Sequence, residues 1–210
     1  MDLDHTDASG TERDDYAERL EALQSVWWKR ILPVQLPYRW NIRRLRLGRT
    51  LDIGCGIGRN LLHLDDAVGV DHNPRSIEIA RERGLVAFTS EEFKASQFAV
   101  PDAFDSILVA HVLEHMTREN AKHLLLDYAG FLRPGGRVCI ITPQERGYSS
   151  DPTHVEFVDF GAISVLCDEL GFAIDRSYSF PFPRSFGRAF IYNEFVVVAT
   201  KPRRPAAPRI

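Results

Sequence analysis

The chain has 210 residues, 44% hydrophobic and 26% charged, with a formal net charge of −3 at pH 7. This length accommodates one well-cored domain, and the ordinary composition excludes collagen-like, disordered and disulfide-scaffold classes. The cysteines Cys55, Cys139 and Cys167 lack C-x-x-C spacing, which argues against a disulfide framework and a cysteine-built metal site. Apolar runs such as Phe195–Ala199 are too short to span a bilayer, and the acidic start lacks the apolar centre of a secretory signal. We therefore expect a cytoplasmic protein.

Charge is unevenly distributed and divides the sequence into four parts. Residues 1–15 carry six acids and one arginine without apolar periodicity, a pattern typical of a disordered leader. We expect residues 16–48 to form an N-terminal helical lid and residues 49–200 to form the main domain. Residues 201–210, which read KPRRPAAPRI, are predicted to be a flexible basic tail.

The segment 26–49 is both basic and aromatic. It contains no acid, and its lysine and arginines are interleaved with Trp27, Trp28, Tyr38 and Trp40. Three interpretations stay open: a lid that packs its rings on the core, a surface for an anionic partner, and peripheral contact with a membrane. Nucleic acid is the less favoured partner, and salt-dependent RNA binding would be its signature.

From residue 49 onward, apolar runs alternate with helical patterns. Strands are predicted at 49–53, 67–70, 85–88, 106–110, 138–141, 173–177 and 195–200. Helices are predicted from Asn60, from Pro74 to Gly84, after Thr117 and across 163–170, and residues 133–136 (Arg-Pro-Gly-Gly) predict a turn. Continuous apolar strands separated by helices indicate a doubly wound, Rossmann-like α/β fold.

A glycine-rich loop, Asp52-Ile53-Gly54-Cys55-Gly56-Ile57-Gly58-Arg59, follows the first predicted strand. Glycines at this place let the backbone turn tightly and approach a ligand. The dinucleotide fingerprint requires glycine at position 59, and Asp52 would repel phosphates but would suit a cationic ligand. Asp71 closes the second strand, where an acid can accept hydrogen bonds from a ribose diol. These features together predict a nucleoside ligand without a pyrophosphate.

The motifs D-x-G-C-G-x-G, V-G-V-D, Val112-Leu113-Glu114-His115 and Leu132-Arg133-Pro134-Gly135-Gly136 resemble those of class I S-adenosylmethionine-dependent methyltransferases. The resemblance covers about residues 49–171 and implies a seven-stranded sheet, mostly parallel with the last strand antiparallel. It also implies S-adenosylmethionine as the cofactor. The cofactor-binding residues that we expect from it are Asp52, Gly54, Gly56, Gly58, Asp71, His72, Glu92, Phe93 and Ala110. Among these, the glycines would line the methionine part, Asp71 would hold the ribose, and Glu92 beside Phe93 would hold the adenine.

Two histidine-containing segments lie where the acceptor would bind. The fourth strand delivers His111, Glu114 and His115 to the carboxyl edge of the sheet, and His154 lies in the loop after the fifth strand, on the same edge. A methyl sulfonium is already activated, but an oxygen acceptor must lose a proton, which a histidine or carboxylate can accept. We therefore take His111, Glu114, His115 and His154 as the candidate catalytic residues. The alternative is that Glu114 and His115 only orient their loop and that residues 151–154 only form a turn.

A divalent metal is a further possibility that the sequence leaves open. His111, Glu114 and His115 share a face if their segment is helical, and His154 would complete a set of imidazoles and one carboxylate. This set is similar to the E-x-x-E-H motif of small-RNA 2′-O-methyltransferases and ubiquinone-pathway O-methyltransferases. The chain departs from both families because His111 stands where the first glutamate would be.

The leading hypothesis is a methyltransferase that acts on a small-molecule acceptor, at oxygen. The alternatives are an RNA methyltransferase, an NAD(P)-type oxidoreductase and a non-catalytic cofactor-binding protein. Arg59 and Asp52 argue against the oxidoreductase, and the intact loop argues against the non-catalytic protein. The sequence identifies neither the acceptor nor the oligomeric state.

Overall fold

The computed structural model describes residues 36–203. The predicted leader, most of the predicted lid and the end of the predicted tail lie outside these residues. The strands are β1 (Arg49–Ile53), β2 (Asp66–Asp71), β3 (Ala87–Thr89), β4 (Phe104–Ala110), β5 (Leu132–Pro143), β6 (Ala173–Phe180) and β7 (Glu194–Thr200). The α-helices are α1 (Leu36–Leu45), α2 (Pro74–Glu82), α3 (Ser90–Ala95), α4 (Arg118–Ala129), α5 (Glu145–Tyr148) and α6 (Phe160–Glu169). Short 3-10 turns span Leu61–His63, Leu113–His115 and Arg184–Arg188.

The strands form one seven-stranded sheet in the order β3-β2-β1-β4-β5-β7-β6. The pairs among β1 to β5 are parallel, whereas β7 runs antiparallel to both β5 and β6. This topology confirms the predicted Rossmann-like sheet with its antiparallel last strand. The chain order reverses between β1 and β4, and ligands of open α/β sheets bind at the carboxyl ends of the strands at such a point.

Local sequence signals begin the helices that flank the sheet. The Asn73 side chain accepts hydrogen bonds from the first turn of α2, and Pro74 occupies the first helical position. The Thr117 and Asp159 side chains cap α4 and α6 in the same manner. These caps fix where the helices begin. The helices then cover the apolar strands on both faces of the sheet.

The helix predicted from Asn60 is reduced to the 3-10 turn Leu61–His63. Residues 54–65 must contain the whole glycine loop and also return to the start of β2, so little chain is left for a helix. Leu61 is buried beside Cys55 and Ile77, and this packing anchors the short connection.

The turn predicted at residues 133–136 lies within β5, as an irregularity rather than a chain reversal. Phe104 pairs with Leu132 and Ser106 pairs with Arg137, so the residues between them bulge out of the ladder. Gly135 has a φ of +77°, which a glycine adopts without strain.

The core lies on both faces of the sheet. The larger apolar cluster contains Leu51, Val109, Phe93 and Phe195, and a second cluster packs α1 against β4, β5 and β7. Among residues 36–203, no helix combines the length and the apolar character needed to cross a bilayer.

Candidate active site

The glycine loop is tied to the carboxyl end of β2. The backbone N–H groups of Gly54 and Cys55 both donate to the carbonyl of Val70, at 2.7 and 3.1 Å. Gly54, Gly56 and Gly58 have φ values of +71°, +53° and +83°, the left-handed region that favours glycine. The loop therefore depends on glycine for its conformation.

The three loop glycines differ in what lies beside them. A Cβ at Gly54 would lie 2.3 Å from Val112, and one at Gly58 would lie 2.2 Å from Leu85, so these two glycines serve packing. A Cβ at Gly56 would meet nothing within 4 Å. Gly56 is thus the loop glycine that a ligand can approach closely.

Asp71 joins the loop to the end of β2. Its Oδ2 accepts the N–H of Gly56 at 2.8 Å, and its Oδ1 accepts the N–H of Asn73 at 2.9 Å. Each oxygen keeps a second lone pair, so the carboxylate can still accept hydrogen bonds from a diol. His72 lies at the exposed rim, with its Nδ1 3.5 Å from Oδ1 of Asp71.

Asp52 is a buried acid in the central strand β1. Both of its carboxyl oxygens lack a hydrogen-bond partner among the described residues. Its pKa is raised to about 8, chiefly by burial, with Arg59 acting against the rise and the nearby Asp71 adding to it. A buried carboxyl group without donors is destabilising unless a ligand or cation satisfies it. Ala110, at the end of the neighbouring strand β4, is also buried and adds no polar group.

The two predicted adenine contacts have different surroundings. Phe93 is fully buried in the core, where its ring packs against Phe104, Tyr128 and Phe131, so it has no face for a ligand. The Glu92 carboxylate accepts the backbone N–H of Thr89 in a capping box and pairs with Arg81, at 2.6 Å, but it is half-exposed. Phe93 thus serves the core, whereas an adenine contact by Glu92 stays a prediction.

His111 forms a bridge between two buried acids. Its Nε2 lies 2.8 Å from Oε1 of Glu194, and its Nδ1 lies 3.3 Å from Oε1 of Glu114. Burial alone lowers the pKa of His111, but the two glutamates outweigh it and raise the pKa to about 9. An imidazolium with both nitrogens directed at carboxylates cannot accept a proton near neutral pH. The prediction of His111 as a catalytic base therefore does not fit this geometry.

Glu194 is a residue of this bridge that no sequence motif predicts. It stands 83 positions after His111, and its one signal is that it is an acid at the start of an otherwise apolar strand. Antiparallel pairing of β7 with β5 brings it to the edge of the sheet at which the carboxyl end of β5 lies.

Glu114, His115 and His154 are brought together as predicted. Their ligand atoms lie within 4.8 Å of one another, and the two imidazole rings have centroids 4.7 Å apart. His111 is not part of this group. The fully buried Glu114 has its Oε1 at ion-pair distance from His111, 3.3 Å from Nδ1, but neither of its carboxylate oxygens accepts a well-aligned hydrogen bond from the described residues. The group is suited to accept a proton or to hold a divalent cation.

Second contacts orient the two histidines. His154 Nδ1 lies 2.7 Å from the carbonyl of Tyr148, so it carries the proton and leaves Nε2 as an acceptor. His115 Nδ1 lies 3.2 Å from the Thr153 hydroxyl, which itself donates to Asp151 at 2.7 Å. Burial lowers the pKa of His115, so its neutral form is favoured.

Comparison with known proteins agrees with this geometry. Residues 51–140 match the family model described as a methyltransferase domain. A ubiquinone biosynthesis O-methyltransferase of Xanthomonas oryzae pv. oryzae is 26% identical over 155 residues, covering 64% of this chain and 63% of that protein. A demethylmenaquinone methyltransferase of Tropheryma whipplei is 33% identical over 97 residues, covering 43% of this chain and 39% of that protein. The chain thus spans less than two thirds of the length of these curated relatives.

Solved structures share the fold. A SAM-dependent methyltransferase from Archaeoglobus fulgidus has a TM-score of 0.58 at 21% identity, covering 78% of this chain and 93% of that one. Magnesium protoporphyrin IX methyltransferase from Synechocystis, with bound SAH, has a TM-score of 0.63 at 13% identity, covering 91% of this chain and 96% of that one.

The loop glycine open to a ligand, the strand-end Asp71 and the unpaired Asp52 fit a cationic nucleoside. Residues 51–140 thus match a methyltransferase domain, and the seven-stranded fold and the geometry of this site agree with a class I, S-adenosylmethionine-dependent methyltransferase.

Proposed function

We propose that this protein transfers a methyl group from S-adenosylmethionine to an oxygen atom of a small-molecule acceptor. The observation that carries the proposal is the combination of Asp52, Gly56 and Asp71 at one edge of the sheet. An unpaired buried acid, an open glycine and a hydrogen-bonded strand-end acid favour a cationic nucleoside. An RNA methyltransferase, an NAD(P)-type oxidoreductase and a non-catalytic binding protein have no comparable support.

Each residue of this set has a separate task. Asp71 would accept hydrogen bonds from the ribose hydroxyls, and Gly56 would let the methionine part approach the backbone. Asp52 would provide negative charge in a site where little water screens it. When bound, S-adenosylmethionine supplies a methyl group on a positively charged sulfur, so the protein mainly aligns the acceptor and excludes water.

The histidine pair would receive the proton of the acceptor hydroxyl. His154 is the preferred base because its Nδ1–H is held by the Tyr148 carbonyl and its Nε2 is free to accept. His115, 4.7 Å away between ring centroids, would orient the acceptor or share the proton. An oxygen acceptor is favoured because a hydroxyl must lose its proton during methyl transfer, and these groups provide a base that can accept it.

A divalent cation on Glu114, His115 and His154 is a second possible role for the same residues. The proximity of their ligand atoms, all within 4.8 Å of one another, supports it. Elemental analysis of the purified protein, with Glu114→Gln as the comparison, distinguishes the two roles: stoichiometric metal that the variant loses would favour the cation site.

The cofactor assignment is tested by isothermal titration with S-adenosylhomocysteine and S-adenosylmethionine. Asp71→Asn should weaken binding by about tenfold or more, because charge-assisted hydrogen bonds contribute roughly 1.5–3 kcal/mol. Asp127→Asn, which changes an exposed acid paired with Lys94, is the matched control and should bind normally. Unchanged affinity of the Asp71 variant would count against the ribose contact.

The acceptor and the base require turnover measurements. Incubation with a labelled methyl donor and a metabolite extract would identify the methylated product and the methylated atom. With that acceptor, His154→Gln should lower kcat by about a hundredfold or more. His123→Gln, at an exposed position on α4, is the control. A kcat of the His154 variant equal to that of the control would exclude this base.

A further inference from the structure

A contiguous aromatic surface lies beside the candidate active site. Its members are Trp40, Phe182, Phe186, Ile191 and Tyr192, with exposed fractions of 54%, 44%, 50%, 39% and 39%. The Phe182 and Phe186 rings are in contact, with centroids 5.4 Å apart. We call this set the aromatic face. Large exposed apolar patches on soluble domains mark interaction sites.

Ring contacts join α1 to the segment 180–192 and make the face continuous. The Trp40 ring stacks on Phe180 with centroids 6.3 Å apart, and Tyr38 packs edge-on against the same ring. The Tyr38 hydroxyl donates to the carbonyl of Tyr192. Two residues after Tyr192 stands Glu194, which accepts the hydrogen bond of His111. The aromatic face therefore borders the edge of the sheet at which the histidines lie.

The charge around this face is positive. Arg43 and Arg44 are exposed on α1, and the Arg44 guanidinium lies 4.9 Å from the Trp40 ring centroid. The sequence contains no acid between residues 26 and 51. Two acids of the adjoining segments are paired with cations, Glu145 with Arg184 and Glu194 with His111. Aromatic rings among arginines are the composition that favours the headgroup region of an anionic bilayer.

We propose that the aromatic face and the adjoining arginines bind the surface of a membrane that contains anionic lipids. The exposed rings would insert at the headgroup level while Arg43 and Arg44 contact lipid phosphates. Because the face borders the catalytic edge, the docked protein would open its site toward the bilayer. The proposal goes beyond methyl transfer and does not depend on it.

Vesicle flotation tests this proposal on the full chain. The probes are phosphatidylcholine vesicles with and without about 30% phosphatidylglycerol, at low and high salt. We expect binding to the anionic vesicles only, weakened by salt. Phe182→Ser/Phe186→Ser should weaken it by about tenfold or more through lost insertion. Arg43→Gln/Arg44→Gln should produce a loss of about tenfold or more by removing charge.

Controls separate this surface from a general loss of structure. Leu126→Ser/Val165→Ser removes two equally exposed apolar side chains elsewhere and should bind vesicles as the parent does. All variants should bind S-adenosylhomocysteine normally, a readout that tests the cofactor site independently. Equal binding to neutral vesicles, no binding at all, or binding that the phenylalanine variant keeps would each overturn the proposal. A dimer that the phenylalanine variant converts to a monomer would assign the face to a second copy instead.

Discussion

Replacing Asp52 by asparagine should stabilise the protein while weakening its affinity for S-adenosylmethionine. The change keeps the size of the side chain and removes a buried carboxyl group whose two oxygens have no hydrogen-bond partner among the described residues. Burial raises the pKa of Asp52 to about 8, well above the usual range of an aspartate. The folded protein thus holds a proton that the unfolded chain releases above about pH 4.

The pH dependence follows from this difference in bound protons. Between about pH 4 and pH 8 the unfolded state binds fewer protons at this residue than the native state, so its contribution to stability falls as pH rises. The slope is about 1.4 kcal/mol per pH unit, which amounts to about 4 kcal/mol at pH 7. The buried amide of the variant, which also lacks a hydrogen-bond partner, lowers the free energy of unfolding by about 1–3 kcal/mol. The net stabilisation expected at pH 7 is therefore about 1–3 kcal/mol.

Urea unfolding of both proteins across pH 5 to 8 measures this effect. The free energy of unfolding of the variant should rise relative to that of the parent by up to about 1.4 kcal/mol for each unit of rising pH. A stability gap that stays constant with pH would refute the argument, because it would mean that the pKa of Asp52 is not raised.

The same group gives a signature in ligand binding. A cation beside Asp52 favours its ionised form, so binding at pH 7 should release about 0.9 proton from a carboxyl group with a pKa of about 8. Calorimetry in buffers of different ionisation enthalpy measures this number, and Asp52→Asn should release none from this residue. Equal proton release by both proteins would remove Asp52 from the cofactor site.

Two further predictions concern the loop and the buried bridge. Gly56→Ala and Gly84→Ala both place a Cβ in open space at positive φ and should each lower the free energy of unfolding by about 1 kcal/mol. Only Gly56→Ala should weaken the binding of S-adenosylhomocysteine. Equal binding by both variants would contradict a ligand at Gly56. His111→Gln should destabilise the fold by about 3–5 kcal/mol in urea unfolding, because it leaves Glu114 and Glu194 without their cation. Because the pKa of His111 is raised to about 9, the stability that this residue contributes is fully present below about pH 6.5 and is lost as pH rises through 9. If the difference in free energy of unfolding between parent and variant does not shrink by pH 9.5, the bridge is contradicted.

Most of the sheet could be predicted from local patterns, because buried parallel strands are continuous apolar runs between helix caps. The end of α2 shortly before Gly84 and the caps at Asn73 and Thr117 follow from signals a few residues long. The prediction of a helix after the glycine loop was wrong because the length of that helix depends on how much chain remains before β2. That is a property of the sheet register, which the local sequence does not contain.

The site residues that lie at the ends of strands could be predicted from the sequence. Contacts between residues that are far apart in the sequence could not. Asp52 and Asp71 close β1 and β2 next to a recognisable loop, so their positions follow from the motif. Whether Phe93 faces a ligand or the core depends on α3 packing against Phe131 and Tyr128, which adjacent residues do not reveal. The partnership of His111 with Glu194 likewise arises only from the antiparallel β5–β7 pair.

Two buried acids near the carboxyl edge of the sheet differ in what surrounds them. Asp52 in β1 has no hydrogen-bond partner for either carboxyl oxygen among residues 36–203, and its raised pKa keeps it protonated at neutral pH. Glu114, in the turn that follows the neighbouring strand β4, has His111 Nδ1 3.3 Å from its Oε1. A buried polar group without a partner lowers stability, so Asp52 does not serve the fold by itself, whereas Glu114 is held by the cation of His111. We therefore expect a cationic ligand to act on Asp52, and the deletion of His111 to act on Glu114.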